Sequence, residues 1–372
     1  MSLKRYTAIA DNTITNAFER NLVTRGTGSN MGLADSLEIF HIYAQATSAS
    51  HELSRILVQF PVVTSDAATT IQADRSSGVL PASGSVDFYL KLYNVAHTQT
   101  LPRNYTLVVS PVSQSWQEGN GLDMDEYSDL TYGGTGSNWI NAAASTAWTN
   151  IRGTTLQGGS YLSASWNGAP ASDYDEFNYK VTIGEEGSSD VEIKVTGLVE
   201  KWLAGGYTNY GVGVFLTSSQ ESGSQSYYTK KFSARDSEYF FSRPIIEARW
   251  DSSKKDNRAN FVVSSSNLSA ANNLNTIYLY NYYRGQATNL ANLGSDNKIF
   301  VNVFTSASSG EALVPAPENP ITGGYVETGV YSASFALNTT ASIVYDRWWT
   351  GSAGSSISGA NSIVFHTGTI TP

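Results

Sequence analysis

Apolar and polar residues alternate with a period of two along much of this chain, the signature of half-buried β-strands. The clearest case is Val86-Asp87-Phe88-Tyr89-Leu90-Lys91-Leu92-Tyr93, in which Val86, Phe88, Leu90 and Leu92 share one face. Runs at 105–109, 191–195, 211–216 and 244–250 predict further strands, and stretches of Gly, Ser, Thr, Asn and Asp between them supply turns. One segment departs from this pattern. In Thr196-Gly197-Leu198-Val199-Glu200-Lys201-Trp202-Leu203 the apolar residues recur at helical spacing. Thr196 stands where a cap would, and Gly205-Gly206 suits a left-handed stop. The spacing predicts one short amphipathic helix over the end of a sandwich, with Trp202 in the core.

The run 251–258, Asp-Ser-Ser-Lys-Lys-Asp-Asn-Arg, is charged and strand-free, as a linker would be. Beyond it, 276–280, 298–304, 329–335 and 342–346 again read as strands. The predicted fold class is therefore all-β. Residues 1–250 form a jelly-roll β-sandwich with one short helix, 251–258 a linker, and 259–372 an immunoglobulin-like β-sandwich of about seven strands. No fixed-period repeat suggests a solenoid or propeller.

Composition narrows the chemistry. A chain of 372 residues has room for two cores without staples, and with no Cys it has no disulfide, thiolate metal site or cysteine nucleophile. Charged residues make up only 15%, and a net charge of −9 argues against a nucleic-acid partner. No apolar run is long enough to span a membrane, and the first eighteen residues do not read as a signal peptide. The expectation is a protein made in a cytoplasm, with neither membrane nor nucleic acid as partner.

Four histidines, His41, His51, His97 and His366, show no metal-ligand spacing. Among the acidic clusters, Asp123, Asp125 and Glu126 are the preferred oxygen ligands should Ca²⁺ bind, although solvated turns are the commoner origin of such clusters. No phosphate loop or nucleophile elbow occurs, and no carboxylate pair has a recognisable catalytic setting. The expectation is a non-enzyme without a required cofactor. Trp116, Trp139, Trp148 and Trp166 fall in a long segment rich in Gly, Ser, Asn and Asp. Two readings stand side by side. These rings stack on sugars, as in carbohydrate-binding sandwiches, or they pin a long excursion to the sheet.

Several short motifs carry a resemblance. They are Asn30-Met31-Gly32 with Leu37-Glu38-Ile39, Arg55-Ile56-Leu57-Val58-Gln59-Phe60, the strand from Val86 to Tyr93, and Trp116-Gln117-Glu118. Trp202 with Asn209-Tyr210-Gly211, Phe232-Ser233-Ala234-Arg235 and Arg243-Pro244-Ile245-Ile246-Glu247 complete the set. In this order, over residues 5–250, the chain resembles the DNRLRE family of β-sandwich modules, related to carbohydrate-binding modules and found also in bacteriophage structural proteins. Arg235 stands near a position where the family has Glu. Arg55 and Arg243 lie in apolar strands and need buried carbonyl or carboxylate partners, with Glu118 a candidate. The segment from Gly329 to Trp349 is similar to an immunoglobulin-like phage module.

The resemblance implies a non-enzymatic virion protein of the fibre, collar, tail or capsid-decoration type, assembled in the host cytoplasm. Its partners would be other copies of itself and neighbouring virion proteins, with host glycans a further partner. Tyr282, Tyr283 and Arg284, together with Arg347, Trp348 and Trp349, are the candidate interface residues. The alternative is a carbohydrate-binding module for a cell-surface or extracellular polysaccharide, resting on the four tryptophans.

Overall fold

The computed structural model describes residues 2–63, 69–122, 135–150, 152–162, 177–291, 293, 298–306, 320–351 and 363–371. They form two compact units, 1–252 and 253–372, each an antiparallel β-sandwich. The boundary falls inside the run expected to be a linker. Asp256, Asn257 and Arg258 are bonded into the second unit.

In the first unit the strands are β1 (Ser2–Thr7), β2 (Ala10–Thr15), β3 (Ser36–Tyr43), β4 (His51–Gln59), β5 (Val86–Leu92) and β6 (Tyr105–Pro111). Then follow β7 (Asn141–Ala143), β8 (Thr146–Ala147), β9 (Tyr179–Ile183), β10 (Val191–Lys194), β11 (Val212–Leu216), β12 (Tyr227–Ser233) and β13 (Ile245–Trp250). One sheet has the order β1-β13-β5-β10; the other runs β12-β3-β4-β11-β6-β9, with β2 added beside β4. The inward face of β5, Val86, Phe88, Leu90 and Leu92, meets Ile56, Val58, Leu107, Val109 and Val214 of the opposite sheet in one core. Each fully buried side chain of this kind stabilises by about 1.5–3 kcal/mol.

The predicted helix is present as α2 (Thr196–Leu203), with Leu198, Val199 and Trp202 buried and Gly205 in the left-handed region at φ 72°. Thr196 does not cap it. Its hydroxyl accepts from the Phe88 amide at 2.9 Å, extending the β10–β5 pairing past the end of β10 instead. Two more short helices accompany it, so the expectation of a single helix is corrected. They are α1 (Ile71–Ser76), capped by Thr70, and α3 (Ser218–Glu221), whose Thr217 and Gln220 form a capping box.

The second sheet is covered on both faces. Ile14, Leu57, Val108 and Phe215 point away from the main core and are overlain by Val112, Trp139, Ala142, Trp148 and Tyr161 from the excursion after β6. Buried on two sides, β11 reads Val-Gly-Val-Phe-Leu with no polar alternation. Gly213 makes room for Tyr161, since a Cβ there would stand 2.0 Å from that ring's Cε1.

The second unit contains β14 (Leu274–Tyr280), β15 (Tyr282–Tyr283), β16 (Gln286–Ala287), β17 (Ile299–Phe304), β18 (Ile321–Glu327), β19 (Val330–Ala336), β20 (Val344–Thr350) and β21 (Ile363–Ile370). Six of them follow one hydrogen-bonded path, β14-β19-β18-β17-β20-β21. Its turning point is β18. Residues 321–323 pair with β17, and residues from 324 onward pair with β19. The junction is Gly323-Gly324, where a Cβ on Gly323 would lie 2.7 Å from the Ser332 carbonyl oxygen. Ile277, Val301, Val303, Tyr331, Phe335 and Trp348 fill the core between the layers.

Gly213→Ala should destabilise the first unit by about 1–3 kcal/mol, because the fully buried Tyr161 ring has no room to retreat. Urea unfolding would show a lower midpoint at unchanged slope; an unchanged midpoint would mean that the excursion does not seat on β11.

Candidate interaction surfaces

The tryptophans read as sugar platforms lie mostly inside. Trp139 and Trp148 are buried, and the Trp148 indole donates to the Asn138 carbonyl at 2.8 Å. Trp116 is half-buried and donates to the Tyr210 carbonyl at 2.8 Å, while Trp166 falls outside the described residues. The carbohydrate assignment to Trp139 and Trp148 is therefore corrected. The apolar outer face of the sheet needs a cover, and these rings supply it.

Arg55 is the polar centre of that layer. Its guanidinium forks onto Glu221 at 3.0 and 2.6 Å, donates to the Gly158 carbonyl at 2.7 Å, and stands 5.0 Å from the Trp139 ring. An arginine buried in a strand requires this compensation, and α3 provides it. The partner is Glu221, not Glu118. Arg243, expected in an apolar strand, lies instead in the turn before β13 and donates to the Ser237 carbonyl at 2.9 Å.

Glu118 instead pairs with Arg235, at 3.0 and 3.1 Å. It also accepts the Asp11 backbone amide at 2.8 Å, and Asp11 accepts the Arg235 amide at 2.5 Å. Asp11 is only 1% exposed, and its Oδ1 has no hydrogen-bond partner. Burial, reinforced by the nearby Glu118 and Asp236 carboxylates, pushes its carboxyl up to about 7 despite the Arg235 amide. Asp123, Asp125 and Glu126, the Ca²⁺ candidates, lie outside the described residues. Among the described residues no group of three or more His, Asp or Glu is placed to hold a metal ion. His41 and His51 come together, Nε2 to Nδ1 at 2.9 Å, and His41 Nδ1 meets the Gln225 carbonyl, so the pair knits β3 to β4.

In the second unit the candidate interface divides. Trp348 and Trp349 are fully buried, donating at 2.6 Å to Asp346 and Asn302 respectively. They are removed from the interface because β20 is an interior strand. Trp348 faces the core, and Trp349 packs on Phe300 with ring centroids 4.9 Å apart. Arg347 is half-buried over Phe304. Tyr282 and Tyr283, 62% and 63% exposed, stand on a tight hairpin with Arg284 beside Tyr283. Its turn, Arg284-Gly285, has φ of 51° and 80°, the mirror-image turn that suits twisted strands. Asn281 anchors the hairpin by accepting from the Thr288 amide and donating to its carbonyl.

Two features were not anticipated. The turn Tyr239-Phe240-Phe241 exposes three consecutive aromatics at 68%, 59% and 78%. It is stiffly built. Ser242 donates to the Tyr239 carbonyl at 2.9 Å, and Arg243 lies 5.5 Å from the Phe240 ring centre. Phe240 and Phe241 meet edge to face at 5.5 Å. The sequence signal was an aromatic run inside a polar turn. The second feature is a concavity of about 450 Å³ on the four-stranded sheet, lined by Gly84, Ser85, Asp87, Tyr89, Arg249, Trp250 and Asp251. Arg249 stacks over Tyr89 at 4.1 Å and is held by Glu192 and Glu247.

Comparison with protein-family models, with curated proteins and with solved structures gives no match. Among the described residues no helix is long and apolar enough to cross a membrane.

Asp11 sets a pH dependence. With its folded carboxyl near 7 and an unfolded value near 4, the folded protein holds an extra proton between them. Stability from this group therefore falls as pH rises through that window. Asp11→Asn should remove the slope and exceed the natural protein at pH ~8 by about 2–4 kcal/mol. Parallel urea titrations at pH ~5 and ~8 that show identical differences would contradict it.

Proposed function

We propose that this chain is a non-enzymatic structural protein of a bacteriophage particle, a fibre, collar, tail or decoration component assembled in the host cytoplasm. It works by joining copies of itself and neighbouring virion proteins, with attachment to a host surface as a further role. The motif order in residues 5–250 supports the phage setting. The observation that carries the adhesive part is the exposed turn Tyr239-Phe240-Phe241. Burying one large apolar side chain is worth about 1.5–3 kcal/mol, so three on a stiff turn hold unused binding energy. Aromatic residues on rigid supports are the usual anchors of protein interfaces.

Light scattering of the purified chain tests this reading. Association should appear as concentration rises, and Phe240→Ser with Phe241→Ser should weaken it about 30-fold or more, the loss of one anchor of ~2 kcal/mol. An unfolding midpoint equal to that of the natural chain would exclude a folding defect. Association unaffected by the pair of changes would remove the turn from the interface, and a strict monomer would contradict self-assembly.

The concavity at Tyr89 and Trp250 supports a second reading, carbohydrate recognition. It presents Tyr89, with Arg249 over its ring, beside Asp87, groups that pack on a sugar and hydrogen-bond its hydroxyls, while Trp250 shares the inward face of Val86 and packs against the core. A glycan array should then show binding by the natural chain that Tyr89→Ala and Asp87→Ala abolish. Binding that survives both changes, or no binding by the natural chain, would overturn it.

A further inference from the structure

A β-sheet edge exposes a row of unpaired backbone groups, and folded proteins protect such edges with charges, bulges or covering segments. Each edge strand of this molecule can be checked against that rule. In the first unit β1 carries Lys4 and Arg5, β10 carries Glu192 and Lys194, and β9 carries Lys180. The fourth edge, β12, carries Lys230 and Lys231 and shifts register between Tyr227 and Lys230.

In the second unit β14 is covered outright. Asn257 donates its amide to the Thr276 carbonyl and takes the Thr276 amide on its side chain, both at 2.9 Å. Asp256 accepts the Tyr278 amide, Arg258 donates to the Tyr278 carbonyl, and Asn275 binds both backbone groups of Val262. The segment 256–262 is thus a strap along that edge.

The remaining edge is β21, and it is different. Its eight residues, Ile-Val-Phe-His-Thr-Gly-Thr-Ile, contain no Lys, Arg, Asp, Glu or Pro. Ile363, Val364, His366, Thr367 and Thr369 are exposed. Among the described residues, the backbone of Ile363–Ile370 bonds to β20 alone; the strap takes the next amide, that of Thr371, at 2.9 Å, and the Arg258 guanidinium lies beside Gly368 on its way to Asp346. One irregularity lies opposite Trp348 and Trp349, and from His366 to Ile370 the pairing with β20 is unbroken. β-branched residues fill much of the strand, the composition that favours further pairing.

We propose that β21 is an assembly edge whose occupant is β21 of a second copy, paired antiparallel so that one sheet runs through both molecules. The occupant follows from charge and symmetry. The end strands of the two sheet paths in the first unit present lysine or arginine, and a basic strand offers nothing to an edge without a carboxylate; β2, beside β4, is buried and its Asp11 amide is taken by Glu118. An uncharged strand pairs with its own copy without repulsion. Antiparallel self-pairing is also isologous, so it closes at two copies and leaves the aromatic turn available for other contacts. The inference deepens the assembly reading above but uses a different surface.

Self-pairing places residues near the middle of β21 opposite their own copies, where like charges repel and opposite charges attract. Pairing centred on Gly368, the middle of the unbroken stretch His366–Ile370, sets Thr367 of one copy opposite Thr369 of the other, both on exposed positions. The test uses two forms of the full chain, Thr367→Lys with Thr369→Lys, and Thr367→Glu with Thr369→Glu. Each form alone should dissociate at least tenfold more readily than the natural chain in analytical ultracentrifugation, and an equimolar mixture should recover the dimer. In hydrogen exchange, natural-chain amides at 363–369 should gain protection as concentration rises, and should still gain it in Phe240→Ser/Phe241→Ser.

Several results would overturn the proposal. Association with no added protection at 363–369 leaves the aromatic reading standing and removes this one. A mixture that fails to recover the dimer, from variants that keep the unfolding midpoint of the natural chain, also removes it. Protection at 363–369 that disappears in the Phe240→Ser/Phe241→Ser form places the contact on the aromatic turn instead.

Discussion

The constraint on which this structure depends is that an antiparallel sheet has two faces and two edges, and each needs a partner. The six-strand path β12-β3-β4-β11-β6-β9 is apolar on both faces. One face finds its partner in the four-stranded sheet, and the other presents Ile14, Leu57, Val108 and Phe215. Without cover, that second face would be a large exposed apolar patch. The excursion after β6 supplies Trp139, Trp148 and Tyr161 as the cover, and Arg55 with Glu221 fixes its position by charge-assisted hydrogen bonds. The buried pair adds specificity more than net stability, because desolvating both groups costs about what their attraction returns.

That constraint explains how the tryptophans invite a wrong reading. Aromatic residues in a Gly- and Ser-rich segment look like a ligand platform when nothing is known of what lies beneath them. The signal that would have decided the matter was present in the strands. Leu107-Val108-Val109 and Val212-Gly213-Val214-Phe215-Leu216 do not alternate, and a strand without alternation is buried on both sides. Something had to cover the outer side, and the long segment that follows β6 was the nearest supply. Trp348 and Trp349 follow the same logic, on opposite faces of an interior strand, paired with Val301 and Phe300 on one side and with His366 and Val364 on the other.

Much of the framework was legible. The alternation of Val86–Leu92, the helical spacing of Leu198, Val199 and Trp202, and the change of character near 251 placed strands, α2 and the boundary close to where they occur. Contacts between residues distant in sequence were not legible. Arg55 announced that it needed a buried partner, but Glu221 lies 166 residues away on a four-residue helix. Glu118 looked like that partner and belongs to Arg235. The exposed turn Tyr239-Phe240-Phe241 passed unnoticed because exposure depends on the path of neighbouring chain, which local pattern does not report.

The assembly proposed above would use places the fold leaves unpaired, while the tryptophan-rich excursion is spent on internal cover. Hydroxyl-radical footprinting of aromatic side chains, run on dilute and concentrated native protein, separates these roles most directly. The account predicts strong labelling of Tyr239, Phe240 and Phe241 in the dilute chain, reduced on assembly, with Trp139 and Trp148 unlabelled in both. Labelling of Trp139 and Trp148 in the dilute native chain, followed by their protection on assembly, would contradict it.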